Sequence, residues 1–268
     1  MNEAELLFSQ LLGCDRASLY LNRGITLPRD KSNEISAVLK RRIDGEPLQY
    51  ILGNTEFFGL EFKVNKAVLI PRPETEMLVE LAEKYLRELS YPHILDLGTG
   101  SGCIAVSLAR LFPGLGIDAS DISQEALKIA AENAALYKVK VSFIKSDLFN
   151  SRKIKPRHYD LILSNPPYVP KDEIKRLQIE IGREPRRALD GGRDGLDFYR
   201  RIIQESPLYL KKKGLLIMEM GFKQDKKIKN IFYKSAKFEI IEVVRDLNNI
   251  NRAVVAQKID PAPRKSCL

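Results

Sequence analysis

The chain has 268 residues, of which 44% are hydrophobic and 29% charged, and this suits one or two globular domains with a sizeable core. It has no apolar run near the roughly 18 residues of a membrane span, no signal-peptide pattern at its N-terminus, and three cysteines without metal or disulfide spacing. The net charge of +9 allows attraction to nucleic acid or to an acidic protein, but the dispersed lysines fit a solvated surface equally well. We therefore expect a cytoplasmic protein without a membrane segment or a metal ion.

Residues 1–50 have the apolar spacing of helices. Apolar side chains repeat on one face in two segments, Leu6, Leu7, Leu11 and Leu12 and then Ile35, Val38, Leu39 and Ile43. Ser32 or Asn33 is the predicted cap of the second helix, and Gly45 and Pro47 end it. The segment carries no catalytic constellation. We predict a small helical N-terminal domain that recognises the substrate, with a purely stabilising role as the alternative.

Residues 51–75 have a different pattern. Aromatic and β-branched residues lie on both sides of Gly59, which predicts a β-hairpin. Pro71 and Pro73 then stiffen the approach to a helix that begins with glutamates, where the helix dipole favours negative charge. We predict a linker that packs on the rest of the protein.

Strands and helices alternate from about residue 92 onwards. Buried strands are predicted at 93–97, 116–120, 141–144, 159–164, 214–220, 238–246 and 252–258. This alternation indicates an α/β domain with a doubly wound, mainly parallel sheet of seven strands and a closing antiparallel pair. We place this domain at residues 76–260 and predict a flexible tail at 261–268.

A glycine-rich loop follows the first strand of the predicted sheet. It opens a helix and allows the backbone to turn sharply and approach a ligand, and its residues are Gly98, Thr99, Gly100, Ser101 and Gly102. Asp121 ends the next strand, where a carboxylate can accept hydrogen bonds from both hydroxyls of a ribose. Asp147, Leu148 and Phe149 follow the third strand and offer a polar group and a ring to an adenine.

Each of these acids taken alone is well explained as a helix cap or a turn residue. Together they lie at the carboxyl ends of three successive strands, where open sheets bind ligands, and this favours an adenosine site. NAD is the competing ligand. The only two histidines, His93 and His158, precede strands at the opposite edge, so neither is placed to assist hydride transfer.

The fourth strand ends in Asn165, Pro166, Pro167 and Tyr168. Two consecutive prolines fix the backbone, donate no N–H, and hold the preceding asparagine in an extended conformation. An amide side chain, rigid carbonyls and an aromatic ring form a receptor for a planar group that carries an NH2. A simple strand-terminating turn is the alternative. Beside an adenosine site, the pattern is typical of methyltransferases that use S-adenosylmethionine and act on a planar nitrogen.

With DLGTGSG at 96–102 and NPPY at 165–168, the chain resembles amino-methyltransferases that act on adenine, guanine or glutamine. Two longer segments, GEPLQYILGNTEFFGLEFKVNKAVLIPRPETEMLVE at 45–80 and EPRRALDGGRDGLDFYRRI at 184–202, resemble the HemK/PrmC family of peptide chain release factor glutamine methyltransferases. The similarity extends over residues 1–258. It implies a class I S-adenosylmethionine methyltransferase fold and methyl transfer to N5 of the glutamine in a Gly-Gly-Gln loop.

The resemblance also implies roles for particular residues. The loop from Gly98 to Gly102 would hold the methionine part of the cofactor, Asp121 its ribose, and Phe149 its adenine. Residues 165–168 would bind the substrate glutamine, with Asn165, Pro166 and Tyr168 as the catalytic set, and Asn165 would also contact the cofactor. Arg72 or Glu74 is a further candidate for positioning the substrate.

Three other functions remain open at this point. A ribosomal-protein glutamine methyltransferase shares the NPPY box, a nucleic-acid amino-methyltransferase acts on a similar NH2 group, and a non-catalytic scaffold could keep the cofactor loop. No target-recognition domain or concentrated basic face for nucleic acid is evident. We expect release factors as protein substrates, no direct nucleic-acid substrate, no membrane contact, and a monomer.

Overall fold

The N-terminal part of the protein is helical. The computed structural model describes residues 3–21 and 29–259, and the predicted tail at 261–268 lies outside them. The first helices are α1 (Glu3–Leu12), α2 (Arg16–Leu21), α3 (Arg29–Ile43) and α4 (Leu48–Leu52). Leu7, Val38 and Leu48 form a small core between them, because each lies on the apolar face of its helix. The predicted cap of α3 is wrong, since the helix begins at Arg29, ahead of Ser32.

The linker contains the predicted hairpin. Strand β1 (Asn54–Phe57) pairs antiparallel with β2 (Leu60–Lys63), and both turn residues, Phe58 and Gly59, have positive φ of 52° and 68°. The rings of Phe57 and Phe62 are fully buried in the main core, so the hairpin is packed on the following domain. A 3₁₀ turn (Pro73–Thr75) then leads into α5 (Glu76–Leu86).

A seven-stranded sheet organises the rest of the chain. Its strands are β3 (His93–Leu97), β4 (Gly116–Asp121), β5 (Ser142–Lys145), β6 (Tyr159–Ser164), β7 (Leu210–Glu219), β8 (Phe238–Arg245) and β9 (Asn251–Lys258). They lie in the order β5-β4-β3-β6-β7-β9-β8. Strands β3 to β7 pair in parallel, and β9 is antiparallel to both of its neighbours. The predicted α/β fold is confirmed.

Helices cover both faces of the sheet. They are α6 (Cys103–Leu111), α7 (Gln124–Leu136), α8 (Arg186–Leu189), α9 (Asp197–Glu205) and α10 (Asp225–Ser235). Successive strand residues point to opposite faces, so Ile94 packs in the core beneath α5 and α6 while Leu95 packs in the core beneath α9 and α10. Burial on both faces explains why the central strands are continuous apolar runs.

The strand order places the ligand-binding edge. From β3 the chain adds β4 and β5 on one side, and then crosses to add β6 and β7 on the other. The loops after β3 and β6 therefore diverge and leave a crevice at the carboxyl ends of these strands. Within the described ranges, no helix has the length and apolar character needed to cross a membrane.

Candidate active site

The glycine loop between β3 and α6 depends on backbone angles that side chains disfavour. Gly98, Gly100 and Gly102 have φ values of 74°, 55° and 80°, in the left-handed region that glycine adopts without a steric penalty. A Cβ on Gly102 would lie 3.0 Å from the Cβ of Ala130, so this glycine allows α6 and α7 to pack closely. A Cβ on Gly98 or Gly100 would meet no atom within 4 Å. At these two positions the loop presents bare backbone to a cavity.

Strand β4 holds the loop in place. Two N–H groups of the loop donate to the Ser120 carbonyl at 2.8 and 2.9 Å. The Asp121 carboxylate accepts from the N–H of Gly100 at 3.0 Å and from the N–H of Ser123 at 2.8 Å. Burial raises the pKa of Asp121, while these N–H donors and the Arg187 guanidinium act in the opposite direction. Each carboxylate oxygen keeps a lone pair for a ligand hydroxyl.

A second carboxylate, Asp96, is fully buried at the end of β3, where the loop begins. Its Oδ2 accepts the Thr99 hydroxyl at 2.6 Å, and its Oδ1 has no hydrogen-bond partner. Burial raises the pKa of Asp96 to about 7, and the negative charge of Asp121 adds to the rise. A buried acceptor without a partner fits a ligand that brings a cation or an N–H group to this loop.

The glycine loop and Asp121 border a cavity of about 260 Å³ at the edge of β3, β4 and β6. Its wall is mostly apolar and includes residues from the linker and from the segment around α8, among them Val68, Leu69, Pro185, Ala188 and Phe198. The polar groups of the wall come from strand ends and, around α8, from Arg187 and Asp190. An apolar cleft with a carboxylate for hydroxyl groups and bare loop backbone fits the predicted adenosine cofactor.

The predicted loop residues separate into two groups. Gly98 and Gly100 line the cavity together with Asp121, whereas Thr99 and Ser101 are almost fully buried outside its wall. Thr99 bonds to Asp96, and the Ser101 carbonyl accepts a hydrogen bond from Asn133 at 2.9 Å. These residues hold the loop in shape. Asn133 was not predicted, and it also bonds to both backbone groups of Lys63, so it ties the hairpin to the loop.

The segment after β5 contributes Asp147 and Leu148 to the cavity. Leu148 has a positive φ of 47°, and its carbonyl accepts the Ser146 hydroxyl at 2.7 Å, which fixes this turn. The ring of Phe149 is 3% exposed and stacks on Tyr209 at 4.5 Å in the core. The structure therefore does not support the predicted contact of Phe149 with adenine, and Leu148 lines the cavity in its place.

The Asn-Pro-Pro segment borders the same cavity as the glycine loop. Asn165, Pro166 and Pro167 all line the cavity wall. Ser164 donates a hydrogen bond from its hydroxyl to the Leu97 carbonyl at 2.9 Å, which fixes the end of β6 against β3. This hydrogen bond fixes the position at which the segment leaves the sheet relative to Gly98.

Thr75 and Glu219, which the sequence analysis did not predict, are linked to this segment by hydrogen bonds. The Nδ2 atom of Asn165 donates to Thr75 Oγ1 at 3.0 Å, and the Thr75 hydroxyl donates to Glu219 Oε2 at 2.6 Å. Glu219 ends β7 and is only 2% exposed, and burial raises its pKa to about 7. The one available signal was a glutamate within the apolar strand GLLIMEM.

Tyr168 is placed differently from its prediction. Its ring is not part of the cavity wall and packs near Gly221, where an added Cβ would lie 2.9 Å from the tyrosine Cδ2. Its carbonyl accepts the Gln224 side-chain amide at 2.9 Å. Burial raises the pKa of Tyr168, so the phenol is neutral at physiological pH. Tyr168 therefore packs outside the cavity wall, and this position does not fit stacking on a substrate amide.

Arg72, a candidate for substrate contact, is engaged within the protein. It forms an ion pair with Glu184, whose buried carboxylate also accepts the Ile70 N–H at 3.1 Å. The pair joins the linker to the segment before α8 that covers the cavity. His93 and His158 pack together at 4.5 Å at the amino ends of β3 and β6, away from the cavity, as predicted.

The chain is similar in sequence to known methyltransferases. The family model described as Methyltransferase small domain matches residues 74–192, and the PrmC N-terminal domain matches residues 1–53. A release factor glutamine methyltransferase of Thermodesulfovibrio yellowstonii is 43% identical over 263 residues, which is 96% of this chain and 92% of the relative. One of Koribacter versatilis is 43% identical over 258 residues, with 95% and 90% covered.

A solved structure supports the fold. The Thermus thermophilus 16S rRNA N2 G1207 methyltransferase, in complex with AdoMet and guanosine, matches with a TM-score of 0.52 and 17% identity. The match covers 77% of this chain and 50% of that chain. At this identity the similarity shows a shared fold and nothing more.

Proposed function

This chain belongs to the release factor glutamine methyltransferase family, and on that premise we infer that it methylates N5 of a release factor glutamine. The methyl donor is S-adenosylmethionine. The observation that carries the proposal is that the Asn-Pro-Pro segment lines the same cavity as the glycine loop and Asp121. The site of modification that we propose is the glutamine of the Gly-Gly-Gln loop.

The cofactor would be held by groups that the site presents without rearrangement. Asp121 has free lone pairs for the ribose hydroxyls, and the backbone at Gly98 and Gly100 allows the methionine part to approach closely. Leu148 and the apolar residues of the wall would enclose the adenine. When bound, the cofactor supplies an electrophilic methyl group on a sulfonium centre.

The acceptor side must overcome the poor nucleophilicity of an amide nitrogen, whose lone pair is delocalised into the carbonyl. The side-chain oxygen of Asn165 and the backbone carbonyl of Pro166 would accept the two N–H groups of the glutamine. Both acceptors are held rigidly, because Pro166 and Pro167 fix the backbone and Thr75 fixes the asparagine amide. Orientation of this kind can contribute roughly 7–11 kcal/mol in favourable cases.

We propose that residues 1–50 and the hairpin linker help to bind the release factor, while residues 76–260 carry out the transfer. Contacts between these parts are in place, since Arg42 of α3 pairs with Glu180 at 3.0 Å in the segment that leads to α8. The protein would act as a monomer in the cytoplasm, where release factors take part in translation, without direct contact with nucleic acid or membrane.

One experiment tests the proposed function. Labelled S-adenosylmethionine is offered with the purified protein to a release factor, to the same factor with its Gly-Gly-Gln glutamine replaced by alanine, and to DNA. We expect label only on the release factor that keeps its Gly-Gly-Gln glutamine. Label that persists on the replaced factor, or that appears on DNA alone, would overturn the proposal.

A further inference from the structure

A buried chain of hydrogen bonds runs from the acceptor asparagine to the end of the neighbouring strand. Asn165 Nδ2 donates to Thr75 Oγ1 at 3.0 Å, and Thr75 Oγ1 donates to Glu219 Oε2 at 2.6 Å. Thr75 and Glu219 are 3% and 2% exposed, so water does not compete for these bonds. Only Asn165 at the end of this chain reaches the cavity.

The chemistry of the three groups gives the chain a direction. An ionised Glu219 can only accept, so it takes the single hydroxyl proton of Thr75. The Thr75 oxygen must then accept from its other neighbour, and the only donor on the Asn165 side chain is the NH2 group. Asn165 therefore turns its Oδ1 toward the cavity, and this is the atom that can accept a hydrogen bond from a substrate amide.

The opposite proton arrangement would reverse this result. A protonated Glu219 can donate to Thr75, which frees the threonine proton for the Oδ1 of Asn165. The asparagine amide would then rotate and present its NH2 group to the NH2 group of the glutamine. Two donors in that position repel each other, and the acceptor amide loses its orientation.

We propose that Thr75 and Glu219 are positioning residues for the transfer reaction, which fix the amide of Asn165 with its oxygen toward the substrate. The assignment rests on the proposed function and adds to it the selection of one asparagine orientation. Neither residue lines the cavity, and their effect acts through Asn165.

The groups that face Glu219 define its response to pH. Burial raises the pKa of Glu219 to about 7, and Glu74 adds to the rise, while Thr75, Arg252 and Tyr168 lower it. Tyr199 of α9 donates its hydroxyl to the backbone carbonyl of Glu219 at 2.9 Å and stays neutral. As the pH falls through about 7, Glu219 gains its proton, so methyl transfer at saturating substrates should decline.

Thr75→Val and Thr75→Ser form the matched pair that tests this assignment. Valine has the shape of threonine without the hydroxyl, whereas serine keeps the hydroxyl. We expect Thr75→Val to lower kcat on the release factor by about 10- to 100-fold, with cofactor affinity within about threefold of the parent. Thr75→Ser should retain most of kcat. Calorimetry measures the affinity, and thermal unfolding shows whether each variant is folded.

Glu219→Gln provides a second test that does not depend on the threonine variants. Glutamine has the size of glutamate but does not titrate, so kcat at saturating cofactor should be lower and flat between pH 6 and pH 8. The parent and Thr75→Ser should both lose activity on the acid side. Saturating cofactor is required because Asp96 also titrates near pH 7.

The outcomes separate this inference from the proposed function. If the parent protein does not label a release factor glutamine, the proposed function fails. If the parent is active and folded Thr75→Val has the kcat of Thr75→Ser, the positioning role is refuted. An acid decline that persists unchanged in folded Glu219→Gln would refute the assignment of the pH effect to Glu219 and, with it, the directed hydrogen-bond chain.

Discussion

Replacement of Asp121 by alanine tests the cofactor site most directly. The carboxylate accepts two backbone N–H groups, at 3.0 and 2.8 Å, and lines the cavity with its remaining lone pairs. Two hydroxyl bonds to a charged acceptor contribute about 3–6 kcal/mol. Because burial already raises the pKa of Asp121, part of this gain is offset by desolvation, and we expect the lower end. A loss of about 3 kcal/mol weakens cofactor affinity roughly 100-fold.

Isothermal titration of S-adenosylmethionine into each purified variant measures this loss. Glu125→Gln is the charge-matched control, because Glu125 is an exposed carboxylate close to Asp121 in the chain that does not line the cavity. Its affinity should equal that of the parent. Thermal unfolding without ligand shows whether Asp121→Ala keeps its fold. A folded Asp121→Ala variant with unchanged affinity would refute the ribose role.

Three further outcomes follow from the geometry. Asn165→Ala should abolish transfer while cofactor affinity, measured by calorimetry, stays near that of the parent; near-normal turnover would remove the residue from the acceptor site. Phe149→Leu should destabilise the protein by about 1–2 kcal/mol in urea unfolding, since its ring is buried against Tyr209, and change cofactor affinity less than about threefold. A loss above tenfold would restore the adenine contact. For Asp96, burial raises the pKa from 3.8 to about 7, so the ligand-free native state keeps a proton that the unfolded chain releases. Asp96 should therefore lower stability in urea as the pH rises from about 4 to 7, and Asp96→Asn should reduce this slope, while Glu219 contributes in the same direction in both proteins; an equal slope in both proteins would contradict it.

Local patterns were sufficient for most of the fold. Strands β3 to β6 lie within one residue of their predicted positions, and the central strands β3 and β6 are the apolar runs that are buried on both faces. The boundaries that failed lie where local rules compete. Helix α9 ends at Glu205, because Pro207 follows, and β7 begins at Leu210 instead of the predicted residue 214.

The candidate site was predictable where sequence spacing and strand direction act together. Gly98, Gly100, Asp121, Asp147 and Asn165 all line one cavity, as expected from the carboxyl ends of parallel strands. Phe149 was misplaced because an aromatic residue after a strand can face either the ligand or the core. Here the ring faces the core, where it stacks on Tyr209, a residue distant in the sequence.

The sequence by itself therefore determined the class of fold, the candidate cofactor loop and the candidate acceptor asparagine, because each depends on neighbouring residues and on strand periodicity. Tertiary structure alone decided which partners orient that asparagine. Thr75 and Glu219 lie 90 and 54 residues from Asn165 in the chain. The parallel register that pairs Ser164 with Met218 makes Asn165 and Glu219 leave the sheet side by side. Local propensity does not encode such a register; the packing of whole strands sets it.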